Sequence, residues 1–309
     1  MSAAIETNNL CKSFKGFKAV DSLNLNVPEG SIYGFLGPNG AGKTTTIKML
    51  TGLSQPSHGS IRINGSEVKF GSLRNRTDIG FLPDVPNFYD WMTPVEFLRF
   101  SGEMFSIDKK VLAARIESLM VLVGLDGVKK KIGGFSRGMK QRLGIAQALI
   151  NQPRVVFMDE PTSALDPIGR KEVMDILSKL AGKVTVFFSS HILSDIERVC
   201  DRVAILDKGK MAVEDSMGEL RNKYSKRIIA IETEKGESKL KLLRELEKSD
   251  WVEKVKDMDN GELQLYAADM CRAQHEIPAV FLAAGAPLIK MNVLEPTLED
   301  IFMKVVESK

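Results

Sequence analysis

The densest chemical signal in the chain is Gly37-Pro38-Asn39-Gly40-Ala41-Gly42-Lys43-Thr44, followed by Thr45. It fits the pattern G-x-x-x-x-G-K-[ST]. Gly37, Gly40 and Gly42 let the backbone curl with positive φ and approach a ligand closely. The N–H groups of such a loop converge on phosphate oxygens, helped by the positive end of the following helix. Lys43 adds a compact positive charge for the outer phosphates, and the Thr44 hydroxyl is a hard oxygen ligand of the kind Mg²⁺ takes.

Acid–base chemistry is carried further along. Arg154-Val-Val-Phe-Met-Asp159-Glu160 is an apolar run that ends in two carboxylates. Asp159 would hold Mg²⁺, directly or through water, and Glu160 would polarise an attacking water as general base. The bland alternative is a pair of acids that caps the next helix. Val184-Thr-Val-Phe-Phe-Ser-Ser-His191 repeats the logic. A lone histidine is usually structural, but at the end of such a strand beside a phosphate site His191 is placed to sense a terminal phosphate. Two weaker candidates remain open from position alone. Phe14 either stacks on a purine or is a strand aromatic. Ser136 either exposes helix N–H groups to an anion or simply caps that helix.

These residues need elements to position them. Ser31–Leu36 reads as a buried strand and Thr45–Leu50 as the first turns of a helix, the context the glycine loop requires. The runs ending at Asp159 and His191 read as central parallel strands, buried on both faces. Open α/β sheets bind ligands at the C-terminal ends of such strands. Residues 5–36, with Ile61–Gly65, read as an antiparallel sheet beside the loop strand. Ile79–Asp84 is a strand running into Pro83. Thr93 as N-cap, Pro94 at the first helical position and Glu96 as the capping-box acid start a helix. Residues 94–131 read as mostly helical, and a second helix spans Lys140–Ile150. Val203–Lys210 closes the domain.

From about residue 220 the character changes. Strand, helix, a hairpin about Asp259-Asn260-Gly261, helix and strand follow in the order β-α-β-β-α-β, which suggests a small ferredoxin-like domain. Pro296–Phe302 starts a final helix.

At 309 residues, 43% hydrophobic and 27% charged, the chain is of ordinary globular composition and long enough for two domains. Its net charge of +3 is too small to argue for nucleic acid. Cys11, Cys200 and Cys271 lie far apart, which points to a reducing compartment and to neither a disulfide framework nor a zinc site. The first residues lack a signal-peptide core, and no run approaches the roughly 18 apolar residues that span a bilayer. A membrane role would therefore go through a partner.

In combination these motifs resemble the ATP-binding subunit of an ABC transporter, over residues 5 to about 220. The resemblance implies a P-loop NTPase core of the ABC type, with a mixed sheet, an antiparallel β subdomain and a helical insert at about 85–150. A small α+β domain occupies 221–309 after an ATPase domain of 1–220. It makes Lys43, Glu160 and His191 the catalytic set, and Thr44, Asp159 and Asp84 the Mg²⁺ set. Phe14 becomes the adenine-stacking aromatic. Phe135-Ser136-Arg137-Gly138-Met139 becomes the signature, and Ser163–Asp166 the D-loop. Two such subunits sandwich two ATP molecules, so Ser136, Gly138 and Asp166 would face the nucleotide held by Gly37–Thr45 of the other copy. Two positions depart from the family. Asp84 stands where a glutamine is usual, and Arg137 replaces a glycine. The signature form, the extra domain and the Thr297-Leu-Glu-Asp-Ile-Phe302 ending look like exporters of drugs, antibiotics or polysaccharides.

The resemblance implies ATP and Mg²⁺, a second ATP-binding subunit, most simply a copy of the same chain, and a separate permease reached from the cytoplasmic face. The cluster Phe88, Tyr89 and Trp91 is either the groove for that permease or a local core. The competing function is a soluble ABC ATPase acting on ribosomes or nucleic acid. Such relatives usually carry two cassettes, a long coiled coil or zinc inserts, none of which this sequence has, so nucleic acid is not expected. Residues 221–309 read either as a ligand sensor or as a dimer brace.

Overall fold

A computed structural model describes the chain except for residues 1, 72–76, 225–227, 235, 259–261, 295–296 and 308–309. The expected turn at 259–261 and Pro296 thus lie outside the described residues. Two compact units are present, Met1–Gly218 with Phe302–Lys309, and Glu219–Ile301.

In the first unit β1 (Ala3–Phe14) and β2 (Phe17–Pro28) form a long hairpin. Strand β3 (Ile32–Leu36) runs through the glycine loop into α1 (Lys43–Leu50). Next come β4 (His58–Ile63), β5 (Ser66–Glu67) and β6 (Ile79–Leu82). A helical segment holds α2 (Pro94–Glu103), α3 (Lys109–Leu122) and α4 (Arg137–Leu149). The unit continues with β7 (Val155–Asp159), α5 (Pro167–Leu180), β8 (Thr185–Ser190), α6 (Leu193–Val199), β9 (Arg202–Asp207) and β10 (Lys210–Ser216). One sheet is antiparallel, in the order β2-β1-β4-β5. The other has the order β10-β9-β3-β8-β7-β6, parallel except for β10.

Every residue of β3, β7 and β8 is buried. This is why the three read as continuous apolar runs rather than alternating ones. Their aromatic side chains interlock: Phe187 lies 5.4 Å from Tyr33, 5.1 Å from Phe35 and 5.7 Å from Phe157, centroid to centroid. The same core takes in Ile5, Leu23 and Val27 from the hairpin and Ile47 and Leu50 from α1. The antiparallel sheet and the loop helix are thereby packed on one core, which fixes the loop to the sheet that carries the acids.

The helical insert is less continuous than its sequence suggests. The Thr93–Glu96 capping box is in place at α2. The helix stops at Glu103, however, Ser106 adopts φ +56°, and the Asp108 carboxylate caps α3 by accepting from the N–H groups of Lys110 and Val111. A side chain that satisfies free N–H groups starts a new helix there. The next helix begins at Arg137, not Lys140, because the Ser136 hydroxyl accepts the Met139 N–H.

The chain continues with α7 (Met217–Tyr224), β11 (Ile228–Glu232), α8 (Glu237–Lys248), β12 (Val252–Asp257), β13 (Glu262–Ala267), α9 (Met270–Ala284), β14 (Lys290–Leu294) and α10 (Leu298–Glu307). The second unit's sheet has the order β12-β13-β11-β14, with every pair antiparallel. Ile229, Ile231, Leu263 and Leu265 pack with Leu242, Leu246, Ile277 and Phe281 of α8 and α9.

Candidate functional site

The glycine loop has the shape its residue types require. Gly40 and Gly42 have φ +82° and +105°. A Cβ on Gly42 would lie 2.4 Å from the Ala19 carbonyl oxygen, and one on Gly37 would lie 2.5 Å from that of Leu206. Gly37 is not left-handed; close approach, rather than φ, excludes a side chain there. The Ala41 N–H bonds back to the Pro38 carbonyl at 3.1 Å. Lys43 is buried, and its Nζ donates to the Gly37 and Pro38 carbonyls at 2.7 and 3.3 Å.

The two acids emerge from β7 beside this loop. Thr44 Oγ1 donates to Asp159 Oδ1 at 3.1 Å, and Ser189 Oγ donates to the same oxygen at 2.7 Å. Glu160 has φ +49° and gives its N–H to Ser189 Oγ at 3.0 Å. Its carboxylate is held at both oxygens. Oε2 is 2.7 Å from His191 Nδ1, and Oε1 is 3.5 Å from Lys43 Nζ. An ionised carboxylate only accepts, so this contact needs an imidazole carrying its proton on Nδ1.

A cleft of about 550 Å³ gathers Phe14, Asn39, Gly40, Gly42, Lys43, Thr44, Thr45, Asp84, Glu160 and His191. Phe17, which sequence reasoning passed over, lines the same cleft and is 65% exposed. It is the register partner of Phe14 across the β1–β2 turn. Two aromatics three residues apart about Lys15-Gly16 were the available signal. Asp84 reaches the cleft and also faces Arg137 of the same chain, Oδ1 to Nη2 3.8 Å.

Ser136, Gly138 and Asp166 line a separate cleft of about 310 Å³, so a single chain does not bring them to Lys43. Ser136 and Asp166 both act as N-caps, accepting from Met139 and Gly169. An aromatic groove lies along the insert. Phe88 meets Phe97 at 5.0 Å, and Tyr89 meets Trp91 at 4.9 Å and Phe100 at 5.6 Å. Through Ser101, Met104 and Gln147 this groove adjoins an apolar one of about 290 Å³ that includes Leu53, Val68, Phe81 and Phe105.

These residues fit a nucleoside triphosphate with Mg²⁺. The loop is a cradle that a Cβ would fill, and Lys43 turns a dry ammonium into it. Thr44 and Asp159 offer paired hard oxygens. Among the described residues no group of three His, Cys, Asp or Glu side chains could hold a metal. Mg²⁺ needs none, because it binds through one or two protein oxygens, waters and substrate phosphates.

A family model described as "ABC transporter" matches residues 20–163, and one described as "ATP-binding protein DrrA1-3-like, C-terminal domain" matches residues 216–306. The bacitracin transport ATP-binding protein BcrA of Bacillus licheniformis is 37% identical over 309 residues, covering 99% of this chain and 98% of its own. The chain belongs to the ABC transporter ATP-binding proteins. A solved ATP-binding subunit of an ABC transporter matches with TM-score 0.65 and 28% identity, over 72% of this chain and 93% of the other. The cassette MJ0796, solved as a post-hydrolysis dimer with ADP and phosphate, matches with TM-score 0.62 and 25% identity, over 69% and 98%. This chain is thus an ABC ATPase of the P-loop class that uses ATP with Mg²⁺ and powers a separate membrane permease. Subunits of this family work as dimers. The comparisons do not favour the ribosome or nucleic-acid reading. Among the described residues no helix is long and apolar enough to cross a membrane.

Proposed function

We propose that this ABC ATPase drives an exporter, and that Glu160 is the general base of its hydrolysis. The observation that carries the assignment is the double hold on its carboxylate, by His191 at 2.7 Å and Lys43 at 3.5 Å. The base is thereby tied to the phosphate-binding lysine and to the residue that senses the reacting phosphate. Glu160 takes a proton from the attacking water. His191 orients it through Nδ1, and Lys43 turns toward the outer phosphates when they arrive. Thr44 and Asp159 would hold Mg²⁺, which would supply charge to offset that building on the phosphate oxygens. Asp84, which faces Arg137, would be a further carboxylate for this cation. Phe14, with Phe17 beside it, stacks on the base. Catalysis of this kind is positioning and charge stabilisation.

In this reading the second subunit is a copy of the same chain, and the cleft of Ser136, Gly138 and Asp166 receives its nucleotide. The ATPase domain runs to about residue 220, with the insert at 85–150, and 221–309 is an accessory ferredoxin-like domain. The groove of Phe88, Tyr89 and Trp91, extended by Leu53, Phe81 and Phe105, receives the permease. Tyr89 is 41% and Trp91 63% exposed, which is unusual for a purely local core. The subunit sits on the cytoplasmic face of the membrane. BcrA, by name a bacitracin transport protein, supports an antibiotic as cargo.

The test is affinity capture from detergent-solubilised membranes, with Glu160→Gln as bait in ATP and Mg²⁺. Recovery of a multi-spanning membrane protein supports this reading and supplies the permease. Recovery of ribosomes or nucleic acid without a membrane protein contradicts it.

A further inference from the structure

Ser189 has no accessible surface and sits opposite Asp159 in the β7–β8 register. A serine hydroxyl can bond to backbone groups of its own segment. This one spans two strands. It donates to Asp159 Oδ1 at 2.7 Å and accepts the Glu160 N–H at 3.0 Å. A hydroxyl has one proton and two lone pairs, so both bonds coexist. The Glu160 backbone is left-handed at φ +49°, a conformation an L side chain adopts only when its surroundings hold it.

We infer that Ser189 is the positioning residue of both acids. Its proton fixes the Asp159 carboxylate with one oxygen toward Thr44. Its lone pair holds the Glu160 backbone in the turn from which the carboxylate reaches His191 and Lys43. Without it, Asp159 keeps only the longer Thr44 bond and the Glu160 N–H loses its partner. The inference rests on the reading of Asp159 as a Mg²⁺ ligand and Glu160 as the base.

The experiment uses the full-length chain as wild type, Ser189→Ala, Ser189→Thr and Ser189→Val. Thr and Val are nearly equal in size and differ in the hydroxyl, so any crowding in the strand is common to both. Two quantities are read. The first is Mn²⁺ affinity, from the loss of the free-ion electron paramagnetic resonance signal in the presence of a non-hydrolysable ATP analogue. The second is ATPase rate against Mg²⁺ concentration. Outer-shell partners of this kind are worth about 10–100-fold. Ala and Val are expected to lose that much in cation affinity and in kcat, while Thr stays within a few-fold of wild type. Equal cation affinity and kcat in Thr and Val, or wild-type values in Ala, overturn the proposal. Asp159→Asn and Glu160→Gln are measured alongside. If Asp159→Asn loses cation affinity and Glu160→Gln loses turnover while Ser189→Ala matches wild type, only the Ser189 role falls. If neither acid matters, the parent reading falls, and this inference with it.

Discussion

Arg137 and Asp84 face each other within one chain, Nη2 to Oδ1 3.8 Å. The two side chains are opposite in charge. They join the loop after β6 to the N-terminal turn of α4, hence the wall of the cleft that holds Lys43 and Glu160 to the wall of the cleft that holds Ser136 and Asp166. Both side chains are about half exposed, at 48% and 45%, so the pair is a surface ion pair worth about 1 kcal/mol or less. A double-mutant cycle on ATPase rate with Asp84→Asn and Arg137→Ala should show non-additive losses that shrink at high salt. Additive effects at low salt would mean the two residues act separately.

Lys43→Ala should abolish measurable ATP affinity at micromolar nucleotide while leaving the fold intact. The side chain is buried against its own loop, and among the described residues that line the cleft it is the only Lys or Arg. Fluorescent-nucleotide titration checks this, and unchanged binding would remove the loop from nucleotide binding.

The paired ring positions of Phe14 and Phe17 predict base stacking without base reading. Each change to Ala should weaken ATP binding by about 1 kcal/mol or more, and GTP should suffer equally, because any base has a π face. Calorimetric titration with both nucleotides tests it. Strong discrimination between ATP and GTP would require a polar contact that these rings do not supply.

Cys200 is buried, and its thiol is pushed well above its ordinary range by burial, then by the charges of Asp201 and Asp195. Only the thiolate reacts with a maleimide. At neutral pH Cys271, which is exposed, should label first, and Cys200 only when denaturant opens the core. Mass spectrometry of the modified peptides follows the order. Early labelling of Cys200 would mean that α6 is not packed against β3.

Phe187 touches three other rings in the central sheet. Replacement by Ala should cost about 3–5 kcal/mol, read from urea unfolding. A loss below about 1 kcal/mol would mean the ring cluster contributes little.

What was legible in the sequence was local. Gly37–Thr44 between a buried strand and a helix, and the apolar runs ending at Asp159 and His191, announce their place because strand burial and loop curvature leave a mark in composition. The break at Ser106 was less legible, since Leu, Val and Met recur at helical spacing on both sides and the interrupting signal is a single Asp108 cap. Long-range pairings left no mark at all. Ser189 meets Asp159 because β8 lies between β3 and β7, a fact of sheet order. Nor does anything in Phe-Ser-Arg-Gly-Met point to Asp84, more than fifty residues earlier. The separation of Ser136 and Asp166 from Lys43 likewise follows from where α4 and α5 begin.

Hydrolysis of ATP by Glu160 and the sharing of the site between two chains can both be tested with one variant. Glu160→Gln keeps the shape of the side chain and removes the base, so turnover should fall about 10²–10⁴-fold with ATP affinity retained. Light scattering after size exclusion should then find it as a dimer in ATP and Mg²⁺ and a monomer in ADP. A variant that turns over ATP at near the wild-type rate, or that stays monomeric with ATP bound, would contradict the account.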